Sequence, residues 1–227
     1  MRTSTILAGT ASALSAAALD VPSVDVPACP SHASISYTSP VPSTSAADFP
    51  LTQVDLCYTP TAISLSFTAH NETNFYFDPA QGTNDDIWEY EVMEAFIHKG
   101  TEDPQTYLEF EVSPNNVTYQ AFIYNPSENR AEGAPFDHLF VSAPGEDGFA
   151  SETTLDKEAQ TWVSNVLIPL AFFNVKDGQA GGTEWRMQFL RTVVGPDTFP
   201  EQGLGAWSPP DEASFHITKF FGNVKFV

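Results

Sequence analysis

The chain has 227 residues, and its 29 Asp and Glu residues against 9 Lys and Arg residues give a formal net charge of −20 at pH 7. This charge argues against nucleic acids and anionic membranes as partners, because binding to either needs cationic side chains. The length is enough for one domain with a sizeable core once a leader peptide has been removed.

Residues 1–18 are predicted to be a secretory signal peptide. Arg2 supplies a positive charge, residues 6–14 form a short apolar stretch, and residues 16–18 are alanines of the kind that precede a cleavage site. No later apolar run approaches the roughly 20 residues that a membrane span needs. We therefore expect a secreted, extracellular protein.

Residues 19–48 are rich in Pro, Ser, Thr and Ala, which indicates an extended N-terminal segment ahead of one β-sandwich domain over residues 49–227. The chain contains two cysteines, Cys29 and Cys57. In an oxidising compartment they are expected to form a disulfide that ties this segment to the next strand. Two free buried thiols are the alternative.

Alternation of apolar and polar residues predicts strands along the rest of the chain. The predicted strands cover residues 61–68, 92–97, 107–112, 118–124, 139–143, 161–169, 183–194 and 214–227. A turn signal at 114–116 joins the third and fourth of these into a hairpin, and residues 168–173 form at most a short helical turn. About ten short strands at regular spacing are typical of an all-β fold, an antiparallel β-sandwich or jelly roll.

The strand over residues 92–97 carries a carboxylate in its middle. Side chains alternate between the two faces of a strand, so Val92, Glu94 and Phe96 lie on one face and the residues between them on the other. Both faces are mostly apolar, and a charge there is costly unless a cation or the hydroxyl groups of a ligand contact it. Trp88, just upstream, adds a flat surface on which a sugar ring can stack. This pattern predicts a binding site.

Four tryptophans divide into two classes. Trp162 and Trp185 lie within alternating apolar strands and are predicted to be core residues. Trp88 and Trp207 lie beside loop-like stretches, 82–86 and 204–210, and two such residues can face each other across a sugar ring. The alternative is that both cover the edges of the core.

A pair of carboxylates raises a glycoside hydrolase as an alternative function. Glu109 and Glu111 lie on the same strand face, about 6.6 Å apart by strand rise. Glycoside hydrolases use carboxyl pairs at comparable separations. The same pattern is also typical of a half-solvated strand in a very acidic protein, so both interpretations stay open. Motifs for a serine nucleophile elbow or a zinc-binding helix are absent from the sequence.

The order of several short motifs resembles the family 9 carbohydrate-binding modules. These motifs are residues 86–88 with Glu94 six residues further on, 107–114, 185–191, 207–209, 215–216 and 221–224. The resemblance covers the chain from about residue 54 to the end. It implies a non-catalytic jelly-roll β-sandwich with bound calcium, associated with extracellular polysaccharide breakdown.

The resemblance also implies roles for particular residues. Family members that bind sugars hold the reducing end of a glucan or xylan chain between two tryptophans, which correspond to Trp88 and Trp207 here. The glutamate of the family's site corresponds to Glu94. Arg191 matches a recurrent arginine of the family and is the candidate counter-charge for Glu94. The ligand expected from the resemblance is a polysaccharide or an oligosaccharide, bound by a monomer.

The chain departs from the family at one position of the site. The family uses an arginine near the second hairpin, where this chain has Asn115, Asn116 and Gln120, and Arg130 is the nearest arginine. Many such domains are attached to xylanases, whereas this one stands alone. A sandwich kept only as an interaction module, with no sugar site, is therefore a further alternative.

Two sets of surface residues complete the predictions. Asp78, Asp85 and Asp86 are candidate ligands of a structural calcium ion, because calcium prefers oxygen ligands in acidic loops. Asn71 and Asn116 begin Asn-X-Thr sequences and are predicted glycosylation sites.

Haem binding is the third class of function that the sequence raises. Related extracellular sandwiches bind haem through Met and His side chains, and Met93, Met187, His138 and His216 supply these residue types. A core methionine is the simpler explanation for Met93, because it lies in the apolar strand beside Glu94. No haem is expected.

Overall fold

A computed structural model describes residues 19–227, so the predicted signal peptide lies outside the described residues. Within this part of the chain, fourteen strands carry the fold. Their bounds are β1 Ser23–Val26, β2 Ala33–Tyr37, β3 Pro40–Val41, β4 Thr52–Tyr58, β5 Ala62–Ala69, β6 Val92–Lys99, β7 Thr106–Val112, β8 Thr118–Tyr124, β9 Asp137–Phe140, β10 Ala150–Asp156, β11 Thr161–Pro169, β12 Glu184–Val193, β13 Gly203–Ala206 and β14 Gly222–Phe226. Three short 3-10 helices cover Ile87–Glu89, Leu170–Phe173 and Thr218–Phe220.

The strands form two sheets that pack face to face. One sheet has the order β1-β14-β12-β6-β7-β8-β9, with β13 paired to β12 and β3 paired to β13. The other has the order β10-β11-β5-β4-β2. All pairs are antiparallel except β1 with β14. The jelly-roll β-sandwich predicted from the sequence is confirmed.

The main core lies between the two sheets. It includes Trp162 and Trp185, both buried as predicted, together with Phe67 and Phe189. We call the face of the nine-stranded sheet that contacts this core the inner face, and the opposite face the outer face. The prediction that β6 is covered on both sides is confirmed, because every residue from Val92 to Ile97 is buried.

The outer face carries a second, smaller apolar cluster. Val92 and Phe96 of β6 pack there with Tyr107, Leu190 and Phe221. Met93, Ala95 and Ile97 belong to the main core instead. The predicted alternation along β6 is therefore confirmed, and it places Glu94 on the outer face.

The N-terminal segment differs from its prediction. Residues 19–48 were predicted to be merely extended, but they supply β1 to the nine-stranded sheet, β2 to the five-stranded sheet and β3 to the edge of β13. Their high Pro, Ser and Thr content conceals short strands that depend on their neighbours for hydrogen bonds. The predicted disulfide between Cys29 and Cys57 is confirmed, with 5.2 Å between the two Cα atoms.

Strand bounds agree with the predictions except near the functional site. The predicted strand over 214–227 is a loop, the 3-10 turn Thr218–Phe220 and the strand β14. The predicted strand over 139–143 is β9, which begins two residues earlier and ends three residues earlier, at Phe140. The strands β4, β10 and β13 were not predicted. Among the described residues, no helix is long and apolar enough to cross a membrane.

Candidate functional site

A cavity of about 410 Å³ opens on the outer face of the nine-stranded sheet. Strands β6 and β7 supply three glutamates to its lining, and β8 and β9 supply Tyr119 and His138. The loops after β5, β8 and β13 add further residues, so the cavity forms where irregular segments rise above the sheet. Its polar lining includes Glu94, Glu109, Glu111 and two of the candidate haem ligands, His138 and His216, which the sequence pattern did not link to one another.

The three glutamates meet because of strand register. Glu94 of β6 is paired directly with Glu111 of β7, and Glu109 lies two residues away on the same face. One carboxyl oxygen from each of the three residues lies within 4.8 Å of the other two. Their exposed fractions are only 3%, 4% and 1% for Glu94, Glu109 and Glu111. The structure therefore brings the predicted site glutamate together with the predicted hydrolase pair.

Burial changes the acidity of this cluster. Loss of hydration raises the pKa of Glu109 to about 8, although the positive charge of Arg130 acts in the opposite direction. Loss of hydration and the neighbouring carboxylates raise the pKa values of Glu94 and Glu111 well above their usual range. At neutral pH the cluster therefore favours protons or another cation over three free negative charges.

The carboxyl groups have few hydrogen-bond partners. Thr192 Oγ1 donates to Glu94 Oε1 at 3.4 Å, which is a long contact. Glu109 Oε2 and Glu111 Oε2 are buried and have no hydrogen-bond partner. Buried polar atoms are rarely left unpartnered in proteins. These two oxygens therefore lack the hydrogen-bond partners that buried carboxyl oxygens normally have.

Two histidines at the cavity are held by tyrosines. Tyr107 Oη and His216 Nδ1 are 2.7 Å apart, and Tyr119 Oη is hydrogen-bonded to His138 Nδ1. His216 Nε2 lies 4.0 Å from Glu109 Oε1. Burial and the charge of Arg130 lower the pKa of His216 to about 3, so its imidazole is neutral at physiological pH.

Trp88 contributes an exposed aromatic surface to the cavity. It lies in the 3-10 turn Ile87–Glu89, where the buried Ile87 anchors the turn to the outer cluster. Gln202 Nε2 donates to the carbonyl oxygen of Trp88 at 2.7 Å. The side chain remains 47% exposed, so a ligand can contact it without displacing protein.

The structure does not bring Trp207 to Trp88. Trp207 borders a different hollow, beside Tyr37 and Leu51, and its ring lies 5.7 Å from that of Phe189 in the main core. Pairing of Ala206 with Leu190 places these two on the outer face, so the next residue, Trp207, lies on the inner side. Trp88 and Trp207 therefore do not face each other across one cavity, as the sequence had predicted.

Gly222 makes this position of Trp207 feasible. A Cβ atom at Gly222 would lie 2.3 Å from the indole ring, so any other residue would force the ring away. The close approach of backbone and ring explains why Trp207 covers a core edge, which is the alternative that the sequence left open.

Arg191 is not the counter-charge of Glu94. Register pairs Leu190 with Glu94 and Arg191 with Met93, so the arginine lies on the inner face and the glutamate on the outer. Arg191 is fully buried, and its Nη2 contacts Glu72 Oε2 at 2.7 Å. The prediction of an ion pair with Glu94 is wrong, because alternation along β12 separates the two side chains.

Arg130 supplies the positive charge at the cavity instead. It lies in the loop between β8 and β9, lines the cavity, and its guanidinium is centred 4.5 Å above the ring of Phe136. In the sequence, Arg130 is distinguished only as the arginine nearest to the position where the family has one and this chain does not. The scarcity of basic residues was the signal that could have identified it.

Two of the three predicted calcium ligands accept hydrogen bonds from nearby backbone amides, and the third lines the cavity of the glutamates. Asp85 Oδ2 accepts from the amide of Gly82 at 2.7 Å, Asp78 Oδ1 accepts from that of Ala80 at 2.9 Å, and Asp86 lines the cavity. Among residues 19–227, the three glutamates are the group of His, Cys, Asp and Glu side chains close enough to hold a metal ion. Calcium at the aspartates stays a prediction.

The candidate haem ligands lie on opposite faces. Met93 and Met187 are fully buried in the main core, whereas the rings of His138 and His216 pack on the outer face. They therefore do not form one ligand set. The predicted glycosylation sites, Asn71 and Asn116, are both exposed, and their modification stays a prediction.

The fold is that of the family 9 carbohydrate-binding modules. Similar solved structures include a putative carbohydrate-binding protein from Bacteroides uniformis, with a TM-score of 0.66 and 17% identity over 92% of this chain and all of that one. A family 9 module from Caldicellulosiruptor kristjanssonii in complex with glucose has a TM-score of 0.58 and 11% identity over 90% of this chain and 95% of its own. The same kind of module in complex with cellotriose gives a TM-score of 0.55, with 11% identity over 90% and 93%.

The chain belongs to the family of an extracellular protein of the fungus Arthroderma benhamiae. The two are 56% identical over 227 residues, which is the full length of both. No family model matches the chain. The resemblance stated from the sequence motifs is therefore confirmed at the level of fold.

Proposed function

We propose that this protein is a secreted, non-catalytic carbohydrate-binding protein and that the outer-face cavity takes the end of a glucan or xylan chain. The observation that carries this proposal is the exposed indole of Trp88 on the same cavity as buried carboxyl groups and a guanidinium. Sugar rings present an apolar face and a rim of hydroxyl groups, and this cavity offers a surface for each.

The dimensions and lining of the cavity support a small ligand. Ligand sites are typically clefts of about 300–1,000 Å³ with a few placed polar groups, and a cavity of about 410 Å³ fits this range. Trp88 provides the stacking surface. Because Trp207 lies elsewhere, we assign the second aromatic contact to Phe215, which lines the same cavity.

The polar groups complement hydroxyl groups. The guanidinium of Arg130 has five N–H donors, and the oxygens of Glu94 and Glu109 accept from sugar hydroxyls. In this proposal, Arg130 replaces the arginine that the family has near the second hairpin. It reaches the cavity from the loop between β8 and β9 instead.

The comparisons support both parts of the proposal. Modules with this fold were solved in complex with glucose and with cellotriose. The Arthroderma benhamiae relative is named an extracellular protein, which agrees with the signal peptide predicted over residues 1–18.

Isothermal calorimetry with glucose, cellotriose and xylotriose tests the proposal. We expect Trp88→Ala to weaken binding at least about tenfold, since an aromatic stacking surface is lost. Tyr124→Ala is the matched control, because this aromatic residue is also exposed but does not line the cavity. Absence of binding by the wild type, or an unchanged affinity in Trp88→Ala, would contradict the proposal.

Glycoside hydrolysis is the second candidate function, because Glu109 and Glu111 lie close together on the cavity. A carboxyl pair that performs this reaction needs one protonated and one ionised member. Here the pKa values of both groups are raised, which favours binding over catalysis. Release of reducing sugar from xylan or glucan that disappears in Glu109→Gln and in Glu111→Gln would favour the enzyme instead.

A further inference from the structure

We propose that Glu94, Glu109 and Glu111 bind a divalent first-row metal ion at the base of the outer-face cavity. His216, whose Nε2 lies 4.0 Å from Glu109 Oε1 but outside this group of three, would join as a fourth ligand by a small movement of its side chain. The site is distinct from the calcium site predicted at the aspartates. It does not depend on the proposed sugar binding.

The distances among the three glutamates suit a metal ion. Their nearest oxygens lie within 4.8 Å of one another. The centre of a triangle with sides of this length is at most about 2.8 Å from each corner, compared with about 2.0–2.2 Å for carboxylate ligands of zinc. Rotamer adjustments of less than about 1 Å therefore bring all three oxygens to ligating distance.

The unpartnered oxygens are a second and separate observation. Glu109 Oε2 and Glu111 Oε2 are buried without any hydrogen bond, and Glu94 receives only the long contact from Thr192. Arg130 lines the same cavity but makes no ion pair within 4.0 Å among the described residues. Among the described residues, the three buried carboxyl groups thus form no ion pair with Lys or Arg within 4.0 Å, and a bound metal ion would supply the missing close positive charge.

His216 is oriented as metal-binding histidines usually are. In the tautomer in which Nδ1 donates to Tyr107 Oη, the lone pair of Nε2 is free, and Nε2 lies 4.0 Å from Glu109 Oε1. The ring also stacks on Phe96, with 5.2 Å between the centroids. Contacts on both sides hold the imidazole beside the carboxyl cluster.

The donor set selects among metals. Carboxylate oxygens alone would suit Ca²⁺, Mg²⁺ or Mn²⁺, whereas imidazole nitrogen favours Zn²⁺ and other first-row ions. Three oxygens with one nitrogen therefore point to Mn²⁺ or Zn²⁺, and Ca²⁺ should bind more weakly.

Calorimetric titration of EDTA-treated, desalted protein with MnCl₂, ZnCl₂ and CaCl₂, without sugar, tests the site. We expect one Mn²⁺ or Zn²⁺ ion per chain and a Ca²⁺ affinity at least about tenfold lower. Glu111→Gln should weaken Mn²⁺ and Zn²⁺ binding at least about tenfold, and His216→Ala should reduce the preference over Ca²⁺. Glu152→Gln is the matched control, because Glu152 is exposed on β10 in the other sheet.

The wild-type titration decides first, so a variant that fails to fold does not leave the proposal untested. Absence of Mn²⁺ and Zn²⁺ binding by the wild type overturns it. Tighter binding of Ca²⁺ than of both other ions, or equal binding by folded Glu111→Gln and by the wild type, also overturns it. Sugar binding is measured separately, by the titrations with glucose, cellotriose and xylotriose, so failure of one proposal is distinguishable from failure of the other.

Discussion

The two faces of the nine-stranded sheet bury charge in different ways. On the inner face, Arg191 is fully buried but contacts Glu72 at 2.7 Å, so the charges compensate each other. On the outer face, Glu94, Glu109 and Glu111 are almost as deeply buried, and among the described residues they form no ion pair with Lys or Arg within 4.0 Å. A buried charge with a partner fixes the structure, whereas a buried cluster without one identifies a place for a ligand.

The largest expected effect lies on the inner face. Arg191→Met should lower the free energy of unfolding by about 3–5 kcal/mol, because Glu72 would remain buried without its partner. Urea denaturation followed by tryptophan fluorescence measures this loss. Lys99→Met, which removes an exposed charge from β6, should change stability by less than about 0.5 kcal/mol. If both variants lost the same free energy of unfolding, the buried ion pair of Arg191 would contribute no more to stability than an exposed lysine does, and the inner face would not be distinguished by it.

Trp88 and Trp207 should also differ in how much each contributes to the stability of the fold. Trp207→Ala should destabilise the fold by about 2–4 kcal/mol, since its ring packs against Phe189 and over Gly222. Trp88→Ala should cost less than about 0.5 kcal/mol, because the side chain is 47% exposed. Thermal denaturation of both variants measures the difference. A large loss in Trp88→Ala would show that this residue supports the fold instead of a ligand.

The outer face should make stability depend on pH. Burial raises the pKa of Glu109 from 4.5 to about 8 and raises those of Glu94 and Glu111 in the same direction. The contribution of Glu109 to the free energy of unfolding is therefore fully present below about pH 4.5 and is lost as the pH rises towards 8, by about 1.4 kcal/mol for each unit of pKa shift. The contributions of Glu94 and Glu111 also fall as the pH rises.

Glu111→Gln isolates this dependence. The variant lacks one carboxyl group and its repulsion. Between pH 5 and 8, its free energy of unfolding should therefore decrease by at least about 1 kcal/mol less than that of the wild type, both in EDTA-treated protein. Urea denaturation across this range measures the slope. Glu91, whose pKa is also raised to about 8, is unchanged in both proteins, so it cancels in the comparison. Parallel curves would contradict the raised pKa values of the cluster.

The smallest expected effect concerns Arg130. Its positive charge lowers the pKa of Glu109, so Arg130→Gln should raise that pKa further and weaken sugar binding by a few-fold. Carboxyl titration by NMR and calorimetry with cellotriose measure the two changes. Lys157→Gln, which removes a charge away from the cavity, should alter neither. An unchanged pKa of Glu109 would show that the charge of Arg130 does not act on the glutamate cluster.

Alternation within single strands was predictable from the sequence, because it depends on local geometry. The faces of β6 followed from the positions of Val92, Glu94 and Phe96. The inward orientation of Arg191 was also predictable from spacing. It lies an even number of residues from the core residue Trp185 in the same strand, so the two side chains share a face. The predicted ion pair between Arg191 and Glu94 instead followed the family resemblance, which does not take this spacing into account.

Relations between strands were not predictable in the same way. Pairing of Glu94 with Glu111 depends on the register of β6 and β7, which the connecting loop sets. Arg130 and His216 lie in irregular segments, where no periodicity indicates direction. The fold and half of the site therefore follow from local patterns, and the three-glutamate cluster follows only from the assembled sheet.

The parallel pairing of β1 with β14 has a mechanical consequence. Ser23 pairs with Asn223 and Val26 pairs with Phe226, so the first and last strands lie side by side and run in the same direction. Tension applied between the ends of residues 19–227 would shear all hydrogen bonds of this pair together instead of opening them one by one. A domain built in this way should resist pulling more strongly than its thermal stability alone indicates.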